Sequence, residues 1–154
     1  MAEAGYKKFI ARIDAMTGEQ FEYFVCWLFQ ARNYKVRRVG TTLYRSKQRS
    51  VINRFYQTLR DFGADIIAEK EGERIAVQAK RCKRPVGKKD VKQVFFALKH
   101  YGCHKAVVVS NNRYTQSAKR YASRKRIGLW DRDLLVDVVK ENIANLPQQL
   151  YINT

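Results

Sequence analysis

Asp65 and the run Gln78-Ala79-Lys80 have the residue types and spacing that could do chemistry. Aspartate offers a hard anionic oxygen and the glutamine amide a neutral one. These are the donors Mg²⁺ or Mn²⁺ takes, with waters completing an octahedron. On a strand, Gln78 and Lys80 lie on one face, so the lysine brings a cation to the edge of that oxygen pair. Such a set suits phosphodiester hydrolysis, which needs an activated water and neutralisation of charge on the phosphorus. The pattern D-x₁₂-Q-x-K is short, however. A solvated strand face with an aspartate beside a turn would look the same, and spacing alone leaves both readings open.

The elements that must position these residues form a hairpin. Residues 64–69 and 74–81 read as strands around Glu71-Gly72, an apolar–turn–apolar signature. The start of the first strand then lies beside the end of the second, which brings Asp65 to Gln78 and Lys80. Upstream, Thr17-Gly18-Glu19-Gln20 reads as a capping box. It opens a helix with Phe21, Phe24, Val25, Leu28 and Phe29 on one face, ending near Asn33. A short helix within 1–15, a strand over 34–39 and a helix over 48–60 complete the first half. The second half reads as helix 89–101 with Val91, Val94, Phe95 and Leu98 inward, strand 106–109, helix 115–125, strand 127–130 and helix 133–142. This order predicts an α/β architecture with a central mixed β-sheet flanked by helices. At 154 residues, the chain is expected to be one domain over 1–154.

Charge narrows the partners. Thirty-one Lys and Arg face fourteen Asp and Glu, a net +17 with a pI near 10.1. A balance this basic points to an anionic partner: nucleic acid, an anionic membrane surface or bare solubility. The acids are segregated, which favours nucleic acid. None occurs from Tyr23 through Arg60, a stretch with nine Lys or Arg, nor from Val91 through Trp130. Cys26, Cys82 and Cys103 lack metal or disulfide spacing and suit a reducing, cytoplasmic setting. His100 and His104 are four apart, but Gly102 falls between them where a helix would end. No segment reaches the roughly 18 apolar residues of a membrane span, so no membrane partner is expected.

The blocks Asp61-Phe62-Gly63-Ala64-Asp65, Ile66-Ile67-Ala68 and Ile75-Ala76-Val77-Gln78-Ala79-Lys80-Arg81 together resemble a known family. They are similar to the core of the Mrr-like branch of the PD-(D/E)xK nucleases, restriction endonucleases that use the Q-x-K variant of the motif. Thr17-Gly18-Glu19-Gln20-Phe21-Glu22 resembles the family's opening helix. Pro85-Val86-Gly87, Tyr101-Gly102, Ala106-Val107-Val108-Val109-Ser110 and Ile127-Gly128-Leu129 resemble its later blocks, so the likeness spans about 17–138. The resemblance implies a restriction-endonuclease-like fold and a Mg²⁺- or Mn²⁺-dependent DNA endonuclease. It implies Asp65 as the main metal ligand, Gln78 in place of the second acid, the backbone carbonyl of Ala79 as a further ligand and Lys80 as the catalytic lysine. Glu22 would be an outer acid that reaches the metal directly or through water; Glu19, in the first turn, reads as a surface acid.

Where the family has a short Gly-rich loop, this sequence carries a basic, helical-looking insertion over about 41–60. Its Arg45, Lys47, Arg49 and Arg54 are candidate phosphate contacts, and Phe55 and Tyr56 offer a face for the domain or for a homodimer. Arg81, Lys83, Arg84, Lys88 and Lys89 leave the active strand and should flank the scissile phosphate; Arg113 is a further candidate. Such contacts position a backbone without reading sequence. The expected partner is double-stranded or branched DNA. A structure-selective nuclease of the Holliday-junction resolvase kind, a non-catalytic DNA-binding module and an RNA-binding protein are the competing readings.

Overall fold

The computed structural model describes residues 2–39 and 63–145. Within them five helices and five strands alternate: α1 (Ala2–Ala15), α2 (Gly18–Ala31), β1 (Lys35–Arg38), β2 (Ile66–Lys70), β3 (Glu73–Lys80), α3 (Lys88–His100), β4 (Lys105–Ser110), α4 (Gln116–Lys125), β5 (Gly128–Trp130) and α5 (Arg132–Asn142). A 3₁₀ turn, Ile143–Asn145, follows. The predicted helix over 48–60, with Arg45, Lys47, Arg49, Arg54, Phe55 and Tyr56, lies outside the described residues, as do Asp61 and Phe62.

The sheet order is β1-β2-β3-β4-β5. β1, β2 and β3 are antiparallel neighbours, and β4 and β5 join parallel to β3. This is the mixed sheet expected from a hairpin followed by helical crossovers. The hairpin closes as read, on Glu71 (φ 51°) and Gly72 (φ 80°). Positive φ at both central residues matches the twist of paired strands in a type I′ turn.

Alternation along the strands divides the core in two. Ile66, Ala68, Ile75 and Val77 pack with Phe9, Phe21, Phe24, Leu28 and Leu135 of α1, α2 and α5. Ile67, Ala76, Ala106 and Val108 pack instead with Val91, Val94 and Ala118 of α3 and α4. In α3 the fully buried stripe is Val91, Val94 and Ala97, while Phe95 and Leu98 only flank it. Small Ala97 fits the close approach to the sheet, and the bulkier side chains spread to its sides.

Local chemistry fixes the ends of α2. Thr17 Oγ1 accepts the Gln20 N–H at 3.2 Å, and Gln20 Oε1 accepts the Thr17 N–H at 2.8 Å, which is the capping box expected from the sequence. At the other end Asn33 (φ 65°) takes the left-handed conformation. The N–H groups of Asn33 and Tyr34 return to the carbonyls of Gln30 and Phe29, a Schellman closure. Both ends of α2 are thereby closed.

Candidate active site

Asp65 enters the sheet just before β2, where its N–H donates to the Val77 carbonyl and its carbonyl accepts the Val39 N–H. Its side chain turns to β3. Oδ2 accepts from Gln78 Nε2 at 2.8 Å and from the Ala79 backbone N–H at 2.8 Å. The hairpin register therefore brings Asp65 to Gln78, as their spacing led us to expect, and adds the Ala79 N–H, while Lys80 bonds to Gln93 and Asp90.

Gln78 is buried, at 8% exposure. Its amide nitrogen is used on Asp65, and no group among the described residues donates to its buried Oε1. A buried acceptor left this way costs about 1–3 kcal/mol. A neutral oxygen without a donor, next to a carboxylate, has the chemistry of a Mg²⁺ or Mn²⁺ ligand pair. The residues fit the ion that the sequence implied. Among the described residues, no three His, Cys, Asp or Glu side chains gather as a metal-holding group. At Gln78 the strand sets a neutral amide beside Asp65.

Lys80 ends β3 and reaches the first turns of α3, with Nζ 3.0 Å from Gln93 Oε1 and 3.5 Å from Asp90 Oδ1. Both partners escaped the sequence reading. The only signal was a pair of polar residues three apart on α3, Asp90 and Gln93, each just before a buried valine, Val91 and Val94. Gly63 explains how α3 comes so close. It has φ +77°, and a Cβ there would collide with the Gln93 backbone carbonyl. The lead-in to Asp65 and the helix that holds Lys80 thus touch backbone to backbone.

Glu22, on α2, is half-buried, and its Oε2 lies 2.8 Å from Arg38 NH2. Arg38 also stacks 3.9 Å over the Tyr23 ring and reaches Glu19 at 4.0 Å. Glu22, expected as an outer acid, is here engaged with an arginine from the end of β1, a partner that sequence spacing did not reveal. Cys26 links the two parts. Burial pushes its thiol pKa up to about 11, opposed by Arg38 and aided by the carboxylates of Glu22 and Asp65. It remains a protonated core residue, and all three cysteines are free. His104 Nδ1 accepts the Arg74 N–H at 3.0 Å and Gly102 (φ +59°) lies beyond the end of α3, so the two histidines do not form a helical pair.

Behind Lys80 a polar tether holds the strand end. Ser110 Oγ donates to the Lys80 carbonyl at 2.8 Å. Asn111 Oδ1 accepts the Cys82 N–H at 2.7 Å, and its Nδ2 donates to Asp14 at 3.1 Å. Arg132 binds both Asp14 oxygens, at 2.7 and 2.8 Å. The Arg132 hydrogen bond holds the Asp14 carboxyl below its ordinary range, against a partial desolvation cost. Arg81 donates to the Asp14 carbonyl at 2.8 Å, so this candidate DNA contact also ties β3 to α1. Lys83, Arg84, Lys88 and Lys89 are exposed along the exit from β3. Arg113 is exposed too, 3.6 Å from an equally exposed Asp133, a pair weak in water.

An α/β sheet with its candidate acid and lysine on a hairpin beside a parallel crossover defines the class, and sequence comparison defines the family. Residues 13–139 match the Mrr_cat model, described as restriction endonuclease. The chain belongs to that family, and its fold is restriction-endonuclease-like. No curated protein matches. Among solved structures, the DNA modification-dependent restriction endonuclease AspBHI is similar with a TM-score of 0.60 at 16% identity, over 97% of this chain and 38% of its own. The MspJI restriction endonuclease, in complex with a 27-mer oligonucleotide, gives 0.52 at 16%, over 92% and 31%. A protein of unknown function, AF1548, gives 0.52 at 18%, over 75% and 63%. The chain therefore spans less than two thirds of each. Among the described residues no helix is long and apolar enough to cross a membrane.

Proposed function

We propose that this chain is a Mg²⁺- or Mn²⁺-dependent DNA endonuclease of the Mrr-like restriction type, acting through Asp65, Gln78 and Lys80. The observation that carries this reading is the buried Gln78 Oε1, left without a donor beside an aspartate that the same amide orients. Asp65 and Gln78 would hold the ion, with the Ala79 carbonyl as a further donor and Glu22 as the outer acid. When bound, the ion acts as a Lewis acid and lowers the pKa of a coordinated water. Lys80, steadied by Gln93 and Asp90, sets an ammonium where charge grows on the phosphate oxygens. Lys83, Arg84 and Lys89 lie along the exit from the site and suit the flanking backbone. MspJI in complex with an oligonucleotide, together with the net +17 here, supports DNA as the substrate. A double-strand cut would take two such sites, hence a homodimer.

The test is cleavage of linear, methylated and four-way-junction DNA with Mg²⁺ or Mn²⁺, comparing wild type with Asp65→Ala. Wild type should cut only with metal, and the variant should not cut. Activity that survives the substitution sinks the proposed site, and preference for the junction would move the enzyme to structure-selective cleavage.

A further inference from the structure

α4 carries Lys119, Arg120, Arg124 and Lys125 and no acid. Arg120 and Arg124 stand one turn apart on its exposed side, where like charges repel. Among the described residues neither forms an ion pair with an acid. A helix that tolerates this repulsion with no internal counter-charge is suited to an external anion. Across from them Lys88 opens α3, with Nζ 5.7 Å from the Tyr121 ring centre. Lys88, Ser117, Arg120, Tyr121 and Arg124 line an open cavity of about 120 Å³. Ser117 can add a donor. Thr115 Oγ1 accepts the Ala118 N–H and lies 3.1 Å from Ser117 Oγ. With the Thr115 hydrogen given to Ser117, the Ser117 hydroxyl is left to point at a ligand. Three cations and a hydroxyl around one open cavity match a phosphate group.

The cavity is joined to the candidate active site by a single helical turn. Lys88 lines the cavity, while Asp90, two residues on, faces Lys80. A nucleic acid whose scissile phosphate lay by Lys80 would then run by the start of α3, where Lys88 lines the cavity. We propose that Lys88, Arg120, Arg124 and Ser117 form a second phosphate-binding site, which grips a backbone phosphate of the bound DNA away from the scissile bond. This rests on the nuclease reading above and adds to it an anchor that sets where the duplex lies.

The experiment is a salt titration of duplex binding in EDTA, by fluorescence anisotropy, on the full chain. The Arg120→Gln/Arg124→Gln variant is compared with wild type and with the charge-matched Lys35→Gln/Lys140→Gln. Losing one phosphate contact should lower the slope of log K against log salt by about 0.9 and weaken binding roughly tenfold at 0.1 M salt. The control pair should leave the slope at the wild-type value. An unchanged slope in the α4 variant, or an equal fall in the control, overturns the site. So does tight inorganic phosphate binding that the α4 variant loses while its DNA slope stays put, since the occupant is then a free ion. Wild type that binds no duplex at all overturns the nuclease reading itself, and that failure is told apart by the wild-type arm alone.

Discussion

Gln78 and Asn111 are both buried side-chain amides, at 8% and 6% exposure, at the ends of adjacent parallel strands. Each polar atom of the Asn111 amide has a partner. Its oxygen accepts from Cys82, its nitrogen donates to Asp14, and its backbone carbonyl accepts from Arg132 at 3.0 Å. Gln78 donates to Asp65 but has no donor to its own oxygen among the described residues. Buried networks with every member satisfied rigidify a fold, whereas an unsatisfied buried group lowers its stability. The same chemical group thus fastens one strand end and leaves the other short of a ligand. The fold tolerates that shortfall beside Asp65 and Lys80, and the Asn111–Asp14–Arg132 tether one strand away keeps the end of β3 in place.

This contrast predicts a separation of activity from stability. The largest effect is expected from Lys80→Ala, which should lower the cleavage rate by about a thousandfold or more, or about 4 kcal/mol of barrier, with little change in Tm. A variant that cuts normally would show that the lysine is only a surface cation. Next is Gly63→Ala, which adds a side chain at positive φ against the Gln93 carbonyl. It should cost about 3 kcal/mol by denaturant unfolding and depress cleavage too, because α3 holds Lys80. Unchanged stability would mean that the backbone approach is not constrained.

Asp14→Asn is a smaller change on the tether side. Its ion pair with Arg132 is partly exposed, so the loss should be about 1–2 kcal/mol after solvent screening, seen as a lower Tm with cleavage largely kept. The sign of its pH dependence follows from the pKa. Asp14 is held below its ordinary value, so its contribution is present above the unfolded pKa near 3.9 and is lost as pH falls through the folded value. The Tm gap between wild type and Asp14→Asn should therefore narrow as pH falls below about 4 and vanish below the folded value, and a gap that stays constant through that range would contradict the ion-pair origin. The smallest effect should come from Arg126, which closes α4 at φ 55°. Replacing this left-handed Arg by Gly should stabilise by about 0.5–1 kcal/mol, a small rise in Tm with cleavage unchanged.

Much of this was legible in the sequence because it depends on local rules. Thr17 and Gln20 signal a cap, Glu71-Gly72 a tight hairpin, and the hairpin alone sets Asp65 beside Gln78. The partners that hold the site were not legible. Arg38 meets Glu22 only because β1 runs along α2, and Gln93 meets Lys80 only because Gly63 lets α3 approach. Asp14 and Arg132 are 118 residues apart in sequence, beyond any periodicity. Charge patterning identified the basic stretches, but not that Arg81 turns inward to Asp14 while Arg120 and Arg124 meet no acid among the described residues.

The most direct test of the contrast is the affinity for Mn²⁺, measured by calorimetry on wild type, Gln78→Leu and Gln78→Glu. If the Gln78 oxygen is an unfilled ligand position, the leucine variant should bind Mn²⁺ at least about tenfold more weakly while folding as well as wild type. The glutamate variant should bind more tightly, through a carboxylate in the same place. Equal Mn²⁺ affinity in all three proteins would contradict the assignment of Gln78 as a metal ligand.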